Sequence, residues 1–474
     1  MIKKYIVSIL KFEQMWVFMP VLIFMLYVPQ IVVGIFKFGD LPAYTLAGVV
    51  TLGGLTYFLA YRVLSKYKAP VSRHIAHLMR NRLSSQYAVM AISVFYFTMI
   101  CYAIFTSGKV ALWEALSGAS ADEIAFARET LFKSRFGWEK SLAYANAIFS
   151  SALMPFALAI CYIEKKSYRH VLLVMFALSL LPSLEKVLIL KALLPLIILG
   201  LNGYFQRRRV MQIAAGTAIV IAGAFFFSKM GRTDYLSQNK VTINLLQAQQ
   251  AALSKAAKSD LILTEKDPDK MTSAERQKAK KVEIENERIY KTNGNLIQKQ
   301  LDYYIGVEKY LLKYNFFGTG QVQYVFNRVF WIPYVTAYDW LGYFYEKLNG
   351  KYLGGKTSSL LAWIVGEKQF PMEREVFKYQ FGESGPQTAA ANASFLVDAF
   401  VNFGWVGVMV YTGLFAALTW VVVVQANPAM QACYYYFALQ ASMGGLSGVV
   451  FSNGMILLIC VAFFVRPKPN LVSN

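Results

Sequence analysis

Apolar stretches close to the roughly 20 residues needed to cross a ~30 Å hydrocarbon core follow one another along this chain. They are interrupted once, late, by a long polar insert over about residues 229–393. That pattern predicts an all-α polytopic membrane protein rather than a string of soluble domains. A pore or carrier would use those residues for more spans. One domain-sized loop between late spans points instead to chemistry at the membrane face.

The spans are expected at residues 15–36, 41–64, 87–106, 142–163, 171–184, 187–205, 211–228 and 403–425. Two more fit within 430–465, broken near Ser452-Asn453-Gly454, which makes about ten. The first stretch is long enough to be a retained span. The formal charge is +21, and basic residues cluster in short loops: Lys3 and Lys4, Arg62 through Arg82, Lys165, Lys166 and Arg169, Arg207 to Arg209, and Arg466 with Lys468. The positive-inside rule then places both termini in the cytoplasm and the insert, between spans 7 and 8, outside. The expected division is 1–228 (spans 1–7, with an outer loop near 109–140), 229–393 (the large loop) and 394–474 (spans 8–10). No basic-aromatic module accompanies the charge, which argues against nucleic acid as a partner. Cys101, Cys161, Cys433 and Cys460 lie in or beside apolar stretches, without disulfide or zinc spacing.

Within the insert, 242–258 and 272–291 read as helices. Thr272 and Glu275 form a capping-box pattern, and Asn293-Gly294 reads as a stop. The stretch 321–348 is rich in aromatics and has Arg328, Asp339, Glu346 and Lys347 as its charges. It reads as interfacial helical segments broken around Pro333, with a further span as the alternative.

An external site has no nucleotide supply, so its substrate must arrive activated. A lipid diphosphate-linked sugar meets that need, and its leaving group calls for cations. The candidates are Arg128, Arg135, Arg232, Arg328 and Arg374, with Lys186 and Lys191 in the same electropositive set. Each has the plainer reading of a solvated charge. Lys191, below the membrane surface, is a functional candidate in its own right, with pairing to Glu185 as its plain reading.

Three local elements carry a resemblance. Gly385-Pro386-Gln387-Thr388 leads through Asn392-Ala393-Ser394 to Asn402-Phe403-Gly404-Trp405-Val406-Gly407. Arg328-Val329-Phe330-Trp331-Ile332-Pro333 opens the aromatic run, and Leu353-Gly354-Gly355-Lys356 follows it. In this order they resemble bacterial Wzy-type oligosaccharide repeat-unit polymerases, mainly over residues 321–413. The resemblance implies a GT-C-like fold and glycosyl transfer at the periplasmic face of the inner membrane. It further implies an undecaprenyl-diphosphate-linked glycan as donor and a hydroxyl of a second lipid-linked repeat unit as acceptor. It implies no metal or other cofactor, the bilayer as surroundings, and a chain-length regulator as partner. Arg328 and Arg374 would then stabilise the departing diphosphate, supported by Arg128, Arg135, Lys186, Lys191 and Arg232. Glu383 is the candidate base, with Glu373, Glu375 and Asp398 as rivals. Asn392 and Asn402 would bond sugar hydroxyls, although Asn402 equally suits a cap or pin at the start of span 8. The late loop contains no histidine, which counts against a related ligase. The alternatives are a peptidoglycan-type glycosyltransferase, a lipid-linked oligosaccharide flippase or other transporter, and a non-catalytic export scaffold.

Overall fold

The computed structural model describes residues 8–69, 71, 83–119, 121–132, 135–183, 188–204, 212, 216, 235–263, 292–308, 316–318, 323, 326–382 and 390–468. The expected span 211–228 and the helix 272–291 lie largely or wholly outside them. All regular elements among the described residues are helices. In chain order they begin with α1 (Met15–Lys37), α2 (Leu41–Ser65), α3 (Ser85–Thr106), α4 (Ala111–Leu116) and α5 (Ala121–Phe132). Next come α6 (Gly137–Ile163), α7 (Arg169–Leu180), α8 (Leu188–Leu201) and α9 (Tyr235–Leu263). The series continues with α10 (292–308), α11 (Ile332–Glu346), α12 (Ser359–Ile364) and α13 (Met372–Phe381). It ends with α14 (Phe395–Gln425), α15 (Pro428–Met443) and α16 (Met455–Phe464).

Five helices among the described residues, α1, α2, α3, α6 and α14, are long and apolar enough to cross a bilayer. The chain is thus a helical membrane protein. The expected spans at 171–184 and 187–205 correspond to shorter apolar helices. The last apolar region breaks twice, at Gly444-Gly445 and at Asn453-Gly454, rather than once. Two compact units divide the chain. One contains Met1–Lys229, Lys351–Phe370 and Ala393–Asn474; the other contains Met230–Gly350 and Pro371–Asn392. Residues 351–370 cluster with the apolar helices of the first unit.

In the first unit, α2 starts where Asp40 accepts from the Ala43 N–H at 3.1 Å, with Pro42 in the first turn where a lost N–H costs nothing. Its outer contacts define α14. Gly48 meets Trp405 and Gly53 meets Leu396, each with room for no Cβ. Lower down, the Tyr57 hydroxyl donates to Thr419 at 3.3 Å.

The α14 element is a hairpin and not one long span. Gly404 has φ 64° and ψ −151°, a backbone state that is cheap only for glycine. A Cβ on Gly407 would collide with the Ala399 carbonyl, and the Phe395 and Phe415 rings meet at 5.5 Å. The short arm 395–403 therefore folds back along the long arm 405–425. At 1.5 Å per residue the long arm is roughly 31 Å, a full hydrocarbon thickness by itself.

At the end carrying the basic clusters, Gln425 donates to the Ile459 carbonyl at 2.9 Å, and Asn427 to those of Ala462 and Val465 at 3.0 and 2.9 Å. Glu164, just past α6, accepts from the Ser85 hydroxyl at 2.7 Å and the Lys468 N–H at 3.0 Å, and pairs with Lys166 at 3.2 Å. Burial alone would raise its carboxyl. The Lys468 N–H, Ser85 and Lys166 outweigh that and hold it below the usual carboxylate range.

In the second unit, Ile243, Leu246 and Leu301 form a small core between α9 and α10. Asn293-Gly294, expected to stop a helix, are themselves helical, within α10. The aromatic run is not broken at Pro333. It forms a continuous helix, α11, buried from Pro333 through Gly342. Pro333 sits in its first turn, where the proline's missing N–H breaks nothing. Gln380 of α13 donates to Asp339 at 2.6 Å, and the Tyr379 hydroxyl to Glu346 at 2.9 Å.

Two measurements test this fold. Gly407→Ala should lower stability in detergent by about 1–3 kcal/mol through overpacking against a backbone carbonyl. Gly413→Ala, with nothing within 4 Å of the added carbon, should hold or slightly raise the thermal midpoint, since alanine favours a helix interior over glycine. The Glu164 clamp should contribute fully above the ordinary carboxylate pKa of about 4.3 and be lost as pH falls through the lower folded value. Glu164→Gln should remove that acid-side loss from thermal melts.

Candidate functional site in a broken membrane helix

The reversal at Gly404 leaves the last carbonyls of the short arm without helical partners. Residues 353–357 supply them. The Leu353 N–H donates to the Val401 carbonyl at 3.1 Å and the Gly354 N–H to that of Asn402 at 2.9 Å. Gly354 and Gly355 take φ of 61° and 91°, which lets the backbone approach this closely. The Asn402 side chain completes the joint. Its Oδ1 accepts from the Gly355 N–H at 2.9 Å, and its Nδ2 reaches Thr357 Oγ1 at 2.7 Å and the Asp398 carbonyl at 2.8 Å. Asn402 is therefore a pin, one of the two roles expected of it.

Asp398 lies one turn earlier on the same face and is 4% exposed. Its Oδ1 accepts from Thr357 Oγ1 at 2.7 Å and Asn402 Nδ2 at 3.0 Å. Its Oδ2 faces Gly445, where a Cβ would stand 3.1 Å away. Among the described residues no ion pair reaches it. A carboxylate with one oxygen anchored and the other facing a glycine can take a proton from a hydroxyl or hold a cation.

The other expected residues are dispersed. Arg328 is exposed on a π-turn, Asn327–Trp331, and Arg374 is exposed on α13. No bond shown among the described residues joins them. Trp340 lies twelve residues beyond Arg328, roughly 18 Å along the helix axis. It is Trp340 whose indole donates to Ala391 at 2.7 Å, and Ala391 bonds Glu373, the neighbour of Arg374, at 2.9 Å. Asn392 is exposed and faces the Glu373 carboxylate; oriented by its partners, its amide nitrogen donates at 3.0 and 3.2 Å. Arg128 is exposed on α5.

Arg135 is buried and its guanidinium is consumed by the fold. It donates to the Leu131 carbonyl at 2.9 Å, Thr106 at 2.7 Å, the Ala103 carbonyl at 2.7 Å and Glu139 at 3.1 Å. Lys191 is buried on α8 and donates to Ser150 at 3.2 Å. Ser150 belongs to a π-turn in α6, Phe149–Leu153, a distortion frequent at functional positions. Lys186, Arg232 and Glu383 lie outside the described residues. Among the described residues no three metal-binding side chains cluster. Thr357 and Ser150 are the functional candidates that sequence reasoning missed, since neither belongs to a recognisable local pattern.

No family model, curated protein or solved structure matches this chain.

Asn402→Ala strips the buried Gly355 N–H of its partner. It should cost about 1–3 kcal/mol in stability, read from detergent melts. Asp398→Asn keeps an oxygen for both anchoring donors and should melt close to wild type.

Proposed function

We propose that this chain is a membrane glycosyltransferase that polymerises lipid-linked oligosaccharide repeat units. The glycan of one undecaprenyl diphosphate would pass to a hydroxyl of a second lipid-linked unit at the periplasmic face. One observation carries the reading. Two of the elements behind the resemblance, Leu353-Gly354-Gly355-Lys356 and Asn402-Phe403-Gly404, are bonded into one structure, and that structure anchors a buried carboxylate. Asp398 replaces Glu383 as the favoured base. It would accept the acceptor hydroxyl's proton as the C1–O bond to the new sugar forms and the bond to diphosphate breaks. Arg328 and Arg374, both exposed, are offered for the diphosphate on charge alone.

A transporter for lipid-linked oligosaccharide is the second reading. The broken helix with a carboxylate inside it favours this, because discontinuous spans build the ion and substrate sites of many transporters. Reconstitution separates the two. A polymerase converts purified lipid-linked repeat units into a ladder of longer glycans, whereas a transporter moves them without lengthening them.

For the polymerase, Asp398→Asn should lower ladder formation by about 10²-fold or more with expression retained, the range for loss of a general base. Arg328→Ala and Arg374→Ala, tested separately, should each lower it by about 10²-fold, the scale of losing a donor to a developing anion. Full-length polymer from Asp398→Asn would remove that residue from the chemistry. Full-length polymer from both arginine variants would remove the diphosphate assignment.

A further inference from the structure

The hairpin in α14 also fixes a depth. The Gln425 end of its long arm lies with the basic residues, since Arg466 donates to the Ala426 carbonyl at 2.8 Å. A full hydrocarbon thickness away, Gly404 marks the opposite boundary of the bilayer. Residues 351–370 are bonded to the short arm beside Gly404, through Val401 and Asn402, and so lie at that boundary.

From there the segment presents an apolar tip. Trp363 is 77% exposed, Ile364 65% and Val365 57%, with Leu360 partly exposed beside them. The base of the tip is closed. The Phe370 N–H donates to the Lys356 carbonyl at 2.8 Å, and Gln369 Nε2 to that of Thr357 at 2.9 Å. The Ser358 hydroxyl caps α12 at the Leu361 N–H, and Ala362 is buried. These bonds hold the tip outward with its large side chains uncovered. The apolar surface continues onto the long arm. Leu361 and Phe403 meet over Gly355, and Phe403, Val406 and Val410 are exposed beyond it. The segment carries Lys351, Lys356 and Lys368 against Glu367, a net charge of +2, and Glu367 is already paired with Lys356.

We propose that residues 360–365 insert into the bilayer interface at this end of the bundle, docking on lipid with anionic head groups. Tryptophan suits that zone, with an apolar body and an N–H that stays wet. Flanking lysines favour anionic head groups. Thr357, the hydroxyl on Asp398, lies six residues from Trp363, so the bilayer helps hold the partner of that carboxylate in register. The inference holds whichever reaction the site performs.

The test uses the full chain, one copy per nanodisc, with lipids brominated in the acyl chains. Wild type minus Trp363→Phe isolates the emission of Trp363. That difference spectrum should be blue-shifted from an aqueous indole and should lose most of its intensity with bromolipid. Neutralising Lys351 and Lys368 with glutamine should weaken the quenching in phosphatidylglycerol discs and leave it unchanged in phosphatidylcholine discs. A water-like emission quenched by acrylamide and untouched by bromolipid would overturn the proposal. So would quenching seen only with two copies per disc, which would make the tip a contact between copies. If Trp363→Phe melts early, a spin label at Val365→Cys, with Cys101 and Cys460 replaced by serine, gives the same decision. Greater access to oxygen than to a nickel chelate supports insertion, and the reverse overturns it.

Discussion

The architecture around the candidate site depends on how the carbonyls released at Gly404 are satisfied. A helix can sit in lipid because each backbone N–H finds a carbonyl within the same segment. A break there leaves polar groups that cost several kcal/mol each unless protein supplies partners. The Leu353 and Gly354 N–H groups are those partners. To provide them, a polar loop must reach the level of the helix end. This is why residues 351–370 group with the apolar helices although their composition resembles the insert. Once the loop is there, Asn402 locks it, Thr357 meets Asp398, and a carboxylate is held in the bundle with no ion pair to it among the described residues.

The parts of the fold legible in sequence are those where lipid imposes one uniform demand. The first three spans and the end of the fourth fall within about two residues of where hydropathy puts them, since every residue there obeys the same solvent. Hydropathy carries no direction, however. Residues 395–403 are as apolar as a span and read as the approach to one, yet they run back along it, because a single glycine adopts a positive φ. Pro333 misled for a related reason. Its effect depends on whether it falls inside a regular α-helix or in the first turn, and here it falls in the first α turn, directly behind the π-turn of Asn327–Trp331.

The site was half legible. Asp398 and Asn402 are four apart in a helical stretch, so their shared face follows from periodicity alone. Thr357 is 41 residues from Asp398, and only the closure of the Gly354-Gly355 turn on the broken helix joins them. The π-turn that brings Ser150 to Lys191 has no sequence mark at all. It is a register slip in an otherwise regular apolar helix.

Arginines that look alike in sequence differ most in what remains for a ligand. Arg135 has four directed bonds in the fold, three of them to protein oxygens without charge. Breaking them to receive a phosphate would leave buried carbonyls unpaired, at about 1–3 kcal/mol each, before any gain from the new contact. Arg328 and Arg374 are exposed, so water can reach whatever acceptors a ligand displaces. Lys191 is intermediate: it is buried, but one of its contacts is a single hydroxyl at 3.2 Å in a segment already distorted. A diphosphate substrate would therefore meet the exposed guanidinium groups at the least cost, and Lys191 would follow only where the π-turn yields. Charge alone does not rank these cations. The burial of the acceptors that would be left behind does.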